Sequence, residues 1–235
     1  MEIKPIASGS DGNAYLIGDG KTHLLIDCGI PFQELKEKTN FFDPTPNACL
    51  VTHSHQDHAM SVEQVQGIGI PVYMSDLTKI DLQDRLTTYH GIHRMQNRER
   101  FTIGTFEILP LKMNHDVYCL GFLITSKALN EKLFFATDTY YIEYIIPSCE
   151  YIMVEANYDV NIMNERIMKG GHDLVSKERL VRSHMEINST LRWLEGNDLS
   201  KTKRIYLMHL SAGSSNEAEF KQKIIESTGV PCTIC

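Results

Sequence analysis

Residues 48–61 read ACLVTHSHQDHAMS. An apolar run ends in His53, His55, Asp57 and His58, four ligand-type side chains within six positions. Burying that many imidazoles and carboxylates costs free energy unless their lone pairs meet a partner, and a cation satisfies several at once. Val51 and Thr52 complete a strand. In extended backbone His53 and His55 point the same way and clamp one ion. Asp57 and His58 follow where the chain turns into a helix, and there they face a second ion. Imidazole with carboxylate suits zinc, iron or manganese.

The same grammar recurs downstream. His115 follows ILPLKMN, Asp138 follows KLFFAT, and His209 follows RIYLM. Each is one ligand-type residue at the end of an apolar run, and strand ends of a sheet converge on one edge. Strands are expected at 2–7, 13–17, 22–27, 48–52, 71–74, 106–111, 119–125, 132–137, 151–156, 204–208 and 230–234. GDGK at 18–21 is a turn signal between two of them. Asn216 and Glu219 in capping-box spacing open a helix that closes before Gly229. A second helix is expected over 184–195, with Ser183 as N-cap and Glu186 three positions on. Residues 58–66, 76–86 and 159–168 carry weaker helical patterns. Without repeat, linker or composition break, residues 1–235 read as a single α+β domain with mixed sheets and outer helices.

At 235 residues such a domain buries a full core. No apolar stretch approaches eighteen residues, so no membrane span is expected. The N-terminal MEIKPIASGS lacks a secretory apolar region, which points to the cytoplasm. The six cysteines lie mostly within apolar runs, as buried free thiols do in a reducing compartment. Cys232 and Cys235 form a CxxC, but VPCTIC reads as a terminal strand that sends them to opposite faces. A net charge of −7 argues against a non-specific nucleic-acid coat protein, though not against an enzyme whose bound cations supply the positive field.

THSHQDH resembles the HxHxDH signature of the metallo-β-lactamase superfamily, and His115, Asp138 and His209 fit its later motifs in order. The resemblance covers nearly the whole chain. It implies a four-layer αββα sandwich of two mixed sheets flanked by helices. It implies one metal held by His53, His55 and His115 and a second by Asp57, His58 and His209, with Asp138 bridging. LLIDCG resembles the first motif of the superfamily, in which Asp27 orients the histidine loop; a plain turn residue is the alternative. Aspartates rather than cysteines as ligands favour a two-metal hydrolase over an antibiotic-degrading lactamase. Two cations holding a hydroxide between them clamp the attacking and leaving oxygens of a phosphoryl group. Asp57 then positions that hydroxide and takes a proton from it.

ASGSDGNAYLI at 7–17 resembles the SGSxGN opening of the WalJ/YycJ-type, exonuclease-like branch. There Ser8, Ser10 and Asn13 would meet the substrate anion; a hairpin turn explains the same residues. RSHMEINSTLRWL at 182–194 lies before His209 with the spacing of tRNA 3′-processing and related nucleases. In those enzymes a histidine near the start of a helix touches the scissile phosphate, a role that falls here on His184. A helix N-terminus attracts phosphate, and a histidine there serves as general acid near neutral pH. Glu155 in VEANYD resembles the glutamate that accompanies it, as a proton-sharing partner or as support for a metal-binding histidine. SHMEIN stands where that branch usually reads GHLSN, which is compatible with a divergent or phage-type relative.

Between Asp138 and His209 there is no room for the large inserted domain of RNase J-like nucleases, and no long basic arm grips tRNA. DNA is therefore favoured over RNA. Arg94, Arg98 and Arg100, with His90 and His93, line a basic segment that either contacts nucleic acid or is a solvated loop. His23 and His172 read as surface residues. The expected protein is a phosphodiesterase or nuclease with two divalent ions, zinc or manganese, iron also fitting. A small ester, thioester or lactone hydrolase of the same fold, and a metal-binding regulatory module without turnover, are the alternatives. Metal identity, cleavage polarity and oligomeric state are not encoded in any motif.

Overall fold

A computed structural model describes residues 1–169 and 174–235, and for 174–177 and Arg179 the description stops at the backbone. The expectation for His172 lies outside the described residues. The strands form two sheets, of order β1-β2-β3-β4-β5-β6 and β13-β12-β11-β10-β9-β8-β7, numbered along the chain as given below. Each mixes parallel and antiparallel pairs. Residues 1–112 and 117–131 make one compact unit, and 113–116 and 132–235 make another.

In the first unit β1 (Glu2–Ala7), β2 (Ala14–Gly18) and β3 (His23–Ile26) form an antiparallel meander. Gly18 pairs with His23 across the turn that GDGK signals. β4 (Ala48–Leu50), β5 (Val72–Met74) and β6 (Ile92–Arg94) then add in parallel. β4 is fully buried, as expected of a parallel strand covered on both faces. The connecting helices are α1 (Phe32–Lys38), α2 (Gln56–Ala59), α3 (Val62–Gly67) and α4 (Asp76–Asp81). Leu35, Ala59, Val62 and Val65 from α1–α3 join Leu25, Cys49, Val51 and Val72 in one buried cluster. β7 (Phe101–Ile103), β8 (Phe106–Met113) and β9 (Cys119–Ser126) follow.

In the second unit β10 (Glu131–Ala136), β11 (Tyr151–Glu155), β12 (Arg204–Met208) and β13 (Cys232–Ile234) run parallel. The helices are α5 (Val160–Met168), α6 (Leu174–Ser183), α7 (Ile187–Glu195) and α8 (Glu217–Thr228). Ile187 and Leu194 of α7 and Phe220 and Ile224 of α8 are buried, as are Phe134, Val154 and Leu207 of the sheet.

The α+β class of two mixed sheets with flanking helices is the one the resemblance implies. All eleven expected strands form, with ends displaced by no more than two residues. α8 is capped as read: the Asn216 side chain accepts from the Glu219 N–H, and Gly229 closes the helix at φ 69°. None of the six cysteines forms a disulfide, and five of them are buried.

Three differences matter. β6 forms within the basic segment, where Arg94 pairs with Asp76 and Arg100 with Glu107. An exposed edge strand needs little apolar content, so its pattern is weak. α1 buries only Leu35, too little to show as a stripe. The helix expected over 184–195 starts at Ile187, and Ser183 is instead the last residue of α6. Residues 184–186 are drawn out of the helix: Glu186 bridges to Tyr158, and the Ile187 N–H donates to the Tyr158 carbonyl. Glu186 is itself the N-cap, its carboxylate accepting from the Asn188 and Ser189 amides. His184 therefore sits in the turn between two helices, not on a helix N-terminus.

Candidate metal centre

In the first unit the chain leaves β4 at Val51 and delivers Thr52, His53 and His55 before α2 carries Asp57 and His58. The imidazole centroids of His53 and His55 lie 4.8 Å apart, and those of His53 and His58 4.2 Å apart. One buried carboxylate fixes two of these rings. Asp27 accepts from the Thr52 N–H at 2.8 Å and from the Thr52 hydroxyl at 3.0 Å. Its second oxygen lies 2.8 Å from His58 Nδ1. The Thr52 hydroxyl, having donated to Asp27, accepts from His53 Nδ1 at 2.9 Å. Both rings thus commit Nδ1–H to oxygen and keep the Nε2 lone pair, the form in which imidazole binds a cation. Burial pushes the Asp27 carboxyl up, and the His58 and Thr52 bonds only partly offset that.

The Ser/Gly loop is turned toward this cluster. Asn13 is fully buried and brackets the loop, donating to the Gly9 carbonyl at 2.9 Å and accepting from the Gly9 N–H at 3.0 Å. Its Nδ2 also reaches the Asp57 carbonyl at 3.2 Å and His58 Nε2 at 3.1 Å. Ser8 hydrogen-bonds the Tyr15 hydroxyl at 2.8 Å, and Ser10 is exposed. Asn13 is thus a brace of the histidine loop. A Cβ on Gly29 would lie 1.7 Å from the Asp57 carbonyl oxygen, so only glycine allows the β3 loop to pass there.

In the second unit Asp138, Glu155, His184 and His209 offer ligand atoms within 4.8 Å of one another. His115 lies beside them, its Nε2 3.7 Å from Asp138 Oδ2 and its ring centroid 5.6 Å from that of His184. His115 Nδ1 donates to the Ser183 carbonyl at 2.9 Å, so the end of α6 selects its tautomer. His209 Nε2 is 3.7 Å from Asp138 Oδ1. Asn157 holds the backbone of His209, donating to its carbonyl at 2.7 Å.

Glu155 is completely buried at the end of β11. Its Oε1 lies 2.6 Å from His184 Nδ1 and 3.3 Å from His209 Nδ1, and Oε2 accepts from the Thr139 and Met185 amides. Burial drives this carboxyl up, but the His184 charge and the hydrogen bonds of both histidines win and leave it below the usual range. For His184 burial acts downward and the Glu155 carboxylate upward, and the carboxylate prevails. Glu155 thus positions two imidazoles, while His184 stays partly open to solvent.

Asp27, Asp138 and His209 all have positive φ, 59°, 47° and 55°, just past the ends of β3, β10 and β12. Such backbone costs on the order of 1–3 kcal/mol and clusters at functional sites. Here it swings each side chain off its strand within one residue. Sequence reasoning overlooked Thr52, Gly29 and Asn157, although each stands inside a stretch it had singled out.

Two units that each gather imidazole and carboxylate at strand ends define a metallo-hydrolase of the metallo-β-lactamase type. The family model described as a beta-lactamase superfamily domain matches residues 22–210, and the chain belongs to that family. Exodeoxyribonuclease WalJ of Streptococcus pneumoniae serotype 2 (strain D39) is 26% identical over 223 residues, covering 88% of this chain and 80% of the relative. Among solved structures, the metallo-β-lactamase fold protein YhfI of Bacillus subtilis superposes with a TM-score of 0.76 at 20% identity, over 99% of this chain and 95% of that one. A diphosphatase of the PhnP family gives 0.70 at 15% identity, over 98% and 93%. These structural likenesses concern the fold. Among the described residues no helix is long and apolar enough to cross a membrane.

Proposed function

We propose that this chain is a dinuclear metal-dependent phosphodiesterase, an exonuclease-like enzyme that takes DNA in preference to RNA. The observation that carries the reading is the His184–Glu155 pair, an imidazole held 2.6 Å from a buried carboxylate beside His115 and His209. Ester or lactone hydrolysis has no need of such a pair. The name of the pneumococcal relative, an exodeoxyribonuclease, supports the same substrate class.

In this reading residues 1–235 act as one domain. His53, His55 and His115 would hold one ion and Asp57, His58 and His209 the other, with Asp138 a ligand available to both. The donor set fits: His53, His58 and His115 each have Nδ1 engaged by oxygen, so Nε2 is the atom each would turn to a cation, in His58 in place of the Asn13 amide 3.1 Å from it. Zinc and manganese suit these ligands, and iron does too. The ions supply Lewis acidity toward the phosphoryl group and acidify water. Asp57 accepts the proton of the attacking water. Glu155 keeps His184 Nδ1 engaged and favours the imidazolium, so Nε2 donates to the departing oxygen. The first-turn phosphate site on a helix is not part of this account, since His184 lies in a turn. Ser10, the exposed residue of the Ser/Gly loop, would meet substrate, while Asn13 positions Asp57. Six cysteines without a disulfide fit action in the reducing cytoplasm.

The test is the chain reconstituted with manganese or zinc and offered labelled double-stranded DNA, single-stranded DNA, RNA, a thioester and a β-lactam. DNA should be cleaved best. Cleavage of only the last two sinks the proposal. His184→Ala should slow DNA cleavage about a hundredfold or more, the usual contribution of a general acid, at unchanged metal content. Loss of metal in that variant would make His184 a ligand instead.

A further inference from the structure

We infer that a cavity lined in part by Met185, the residue after His184, is a nucleobase pocket, which takes one unstacked base of the substrate strand next to the phosphate being cut. The inference rests on the nuclease reading and names where that substrate is gripped. The cavity measures about 370 Å³ and lies wholly in the second unit, lined among others by Tyr141, Tyr144, Ile145, Arg192, Trp193 and Asn197. That is the small end of the range ligand sites occupy, with room for one planar group rather than a polymer.

Two segments tie it to the candidate metal centre. Residues 140–145 follow directly on Asp138 and lack regular secondary structure, yet they are anchored. The Tyr141 carbonyl accepts from Asn114 Nδ2 at 3.0 Å and from the Thr139 hydroxyl at 2.8 Å, and the Ile146 N–H donates to Asn197 Oδ1 at 2.8 Å. Met185, the next residue after His184, also lines the cavity while its N–H donates to Glu155. A ligand in the cavity is therefore within one residue, along the chain, of the group proposed to protonate the leaving oxygen.

The lining chemistry selects the occupant. Trp193 is fixed: its indole N–H donates to the Tyr144 carbonyl at 3.0 Å, and one face stacks on buried Phe134 at 5.2 Å. Tyr141 is 58% and Ile145 84% exposed, large side chains left in water. Aromatic faces stack on any base, which is how sequence-tolerant nucleases hold a strand. Arg192, its Nη2 2.9 Å from the Ser189 hydroxyl, adds a cation suited to the adjoining phosphate, in a chain whose net charge is −7. An acyl chain would use the apolar walls but not the guanidinium or the two tyrosine faces.

Trp193 is the sole tryptophan, so its fluorescence reports directly on this cavity. The zinc-loaded full chain is titrated with a phosphorothioate-linked hexathymidylate, with the same strand made abasic, and with a decanoyl thioester. The base-bearing strand should quench saturably, and removing the bases should weaken binding about tenfold, the lower part of what stacking contributes. Tyr141→Ala, at an exposed site, should weaken the base-bearing strand by a similar factor with the emission of the free protein unchanged. Equal affinity for both strands, or an unaltered Tyr141→Ala, overturns the inference. Quenching by the thioester alone overturns it too and makes the cavity an acyl pocket. Cleavage of labelled DNA is followed in parallel. Base-dependent quenching without cleavage keeps the pocket and rejects the nuclease, whereas cleavage without quenching rejects the pocket alone.

Discussion

At the scale of single residues, Asp27 shows how one buried carboxylate sets the state of two imidazoles. Its carboxylate reaches His58 directly and His53 through Thr52, and so sets the tautomer of both. Asp27→Asn keeps the shape and still accepts from the Thr52 amide. It turns an N–H₂ toward His58, whose ring must then present Nδ1 as acceptor and carry its proton on Nε2. That form has no lone pair for a cation. The variant should fold and lose about ten- to a hundredfold in affinity for one metal, the usual cost of losing such support. Metal titration monitored by calorimetry checks this, and wild-type affinity at both sites would refute it. The candidate ligand residues were legible because imidazole and carboxylate are rare at strand ends. Thr52 and Asn157 were not, because a hydroxyl or an amide beside a histidine is commonplace until the fold shows which atom it holds.

At the scale of elements, the β3 loop passes close against α2 in the first unit. The Cys28 N–H donates to the His58 carbonyl at 2.9 Å, and the Asn13 N–H donates to the Asp57 carbonyl at 2.7 Å. Gly29 lies against that same peptide. Gly29→Ala would place a methyl 1.7 Å from the Asp57 oxygen, so backbone must move. Overpacking of this kind costs roughly 1–3 kcal/mol, and the displaced element is the one that carries Asp57 and His58. The expected outcome is a lower denaturation midpoint together with lost metal. Full metal content with only the midpoint lowered would show that the ligands ride out the shift. Strands announced themselves by apolar runs, and α8 by its caps. The start of α7 did not: Ser183 and Glu186 stand in capping-box spacing, but the bridge from Glu186 to Tyr158 overrides the local signal. That tertiary override moved His184 from a helix terminus into a turn, where Glu155 rather than a helix N-terminus tunes it.

At the scale of the whole molecule, Asp19, in the turn read from GDGK, ties distant parts of the first unit together. Its carboxylate accepts from the Lys21 and Thr22 amides, from the Thr105 hydroxyl at 2.6 Å and from the Ser126 hydroxyl at 2.7 Å. The hairpin, the β7–β8 turn and the end of β9 thus meet on one anion. The turn could be read from the sequence; partners more than eighty residues away could not. Burial raises the Asp19 pKa, but the hydrogen bonds from Thr105, Ser126, Thr22 and Lys21 outweigh it and bring it from 3.8 to about 2. A native pKa below the unfolded one means stability that is fully present above pH 3.8. As pH falls from there the unfolded chain takes up a proton that the native carboxylate refuses, and the contribution is gone once pH passes about 2. The shift corresponds to about 2 kcal/mol. Asp19→Asn should therefore be less stable than the wild type at neutral pH, and the gap should close between pH 4 and pH 2. Urea unfolding across that range measures it, and a gap that stays constant with pH would show that the Asp19 carboxylate titrates alike in the native and unfolded chains.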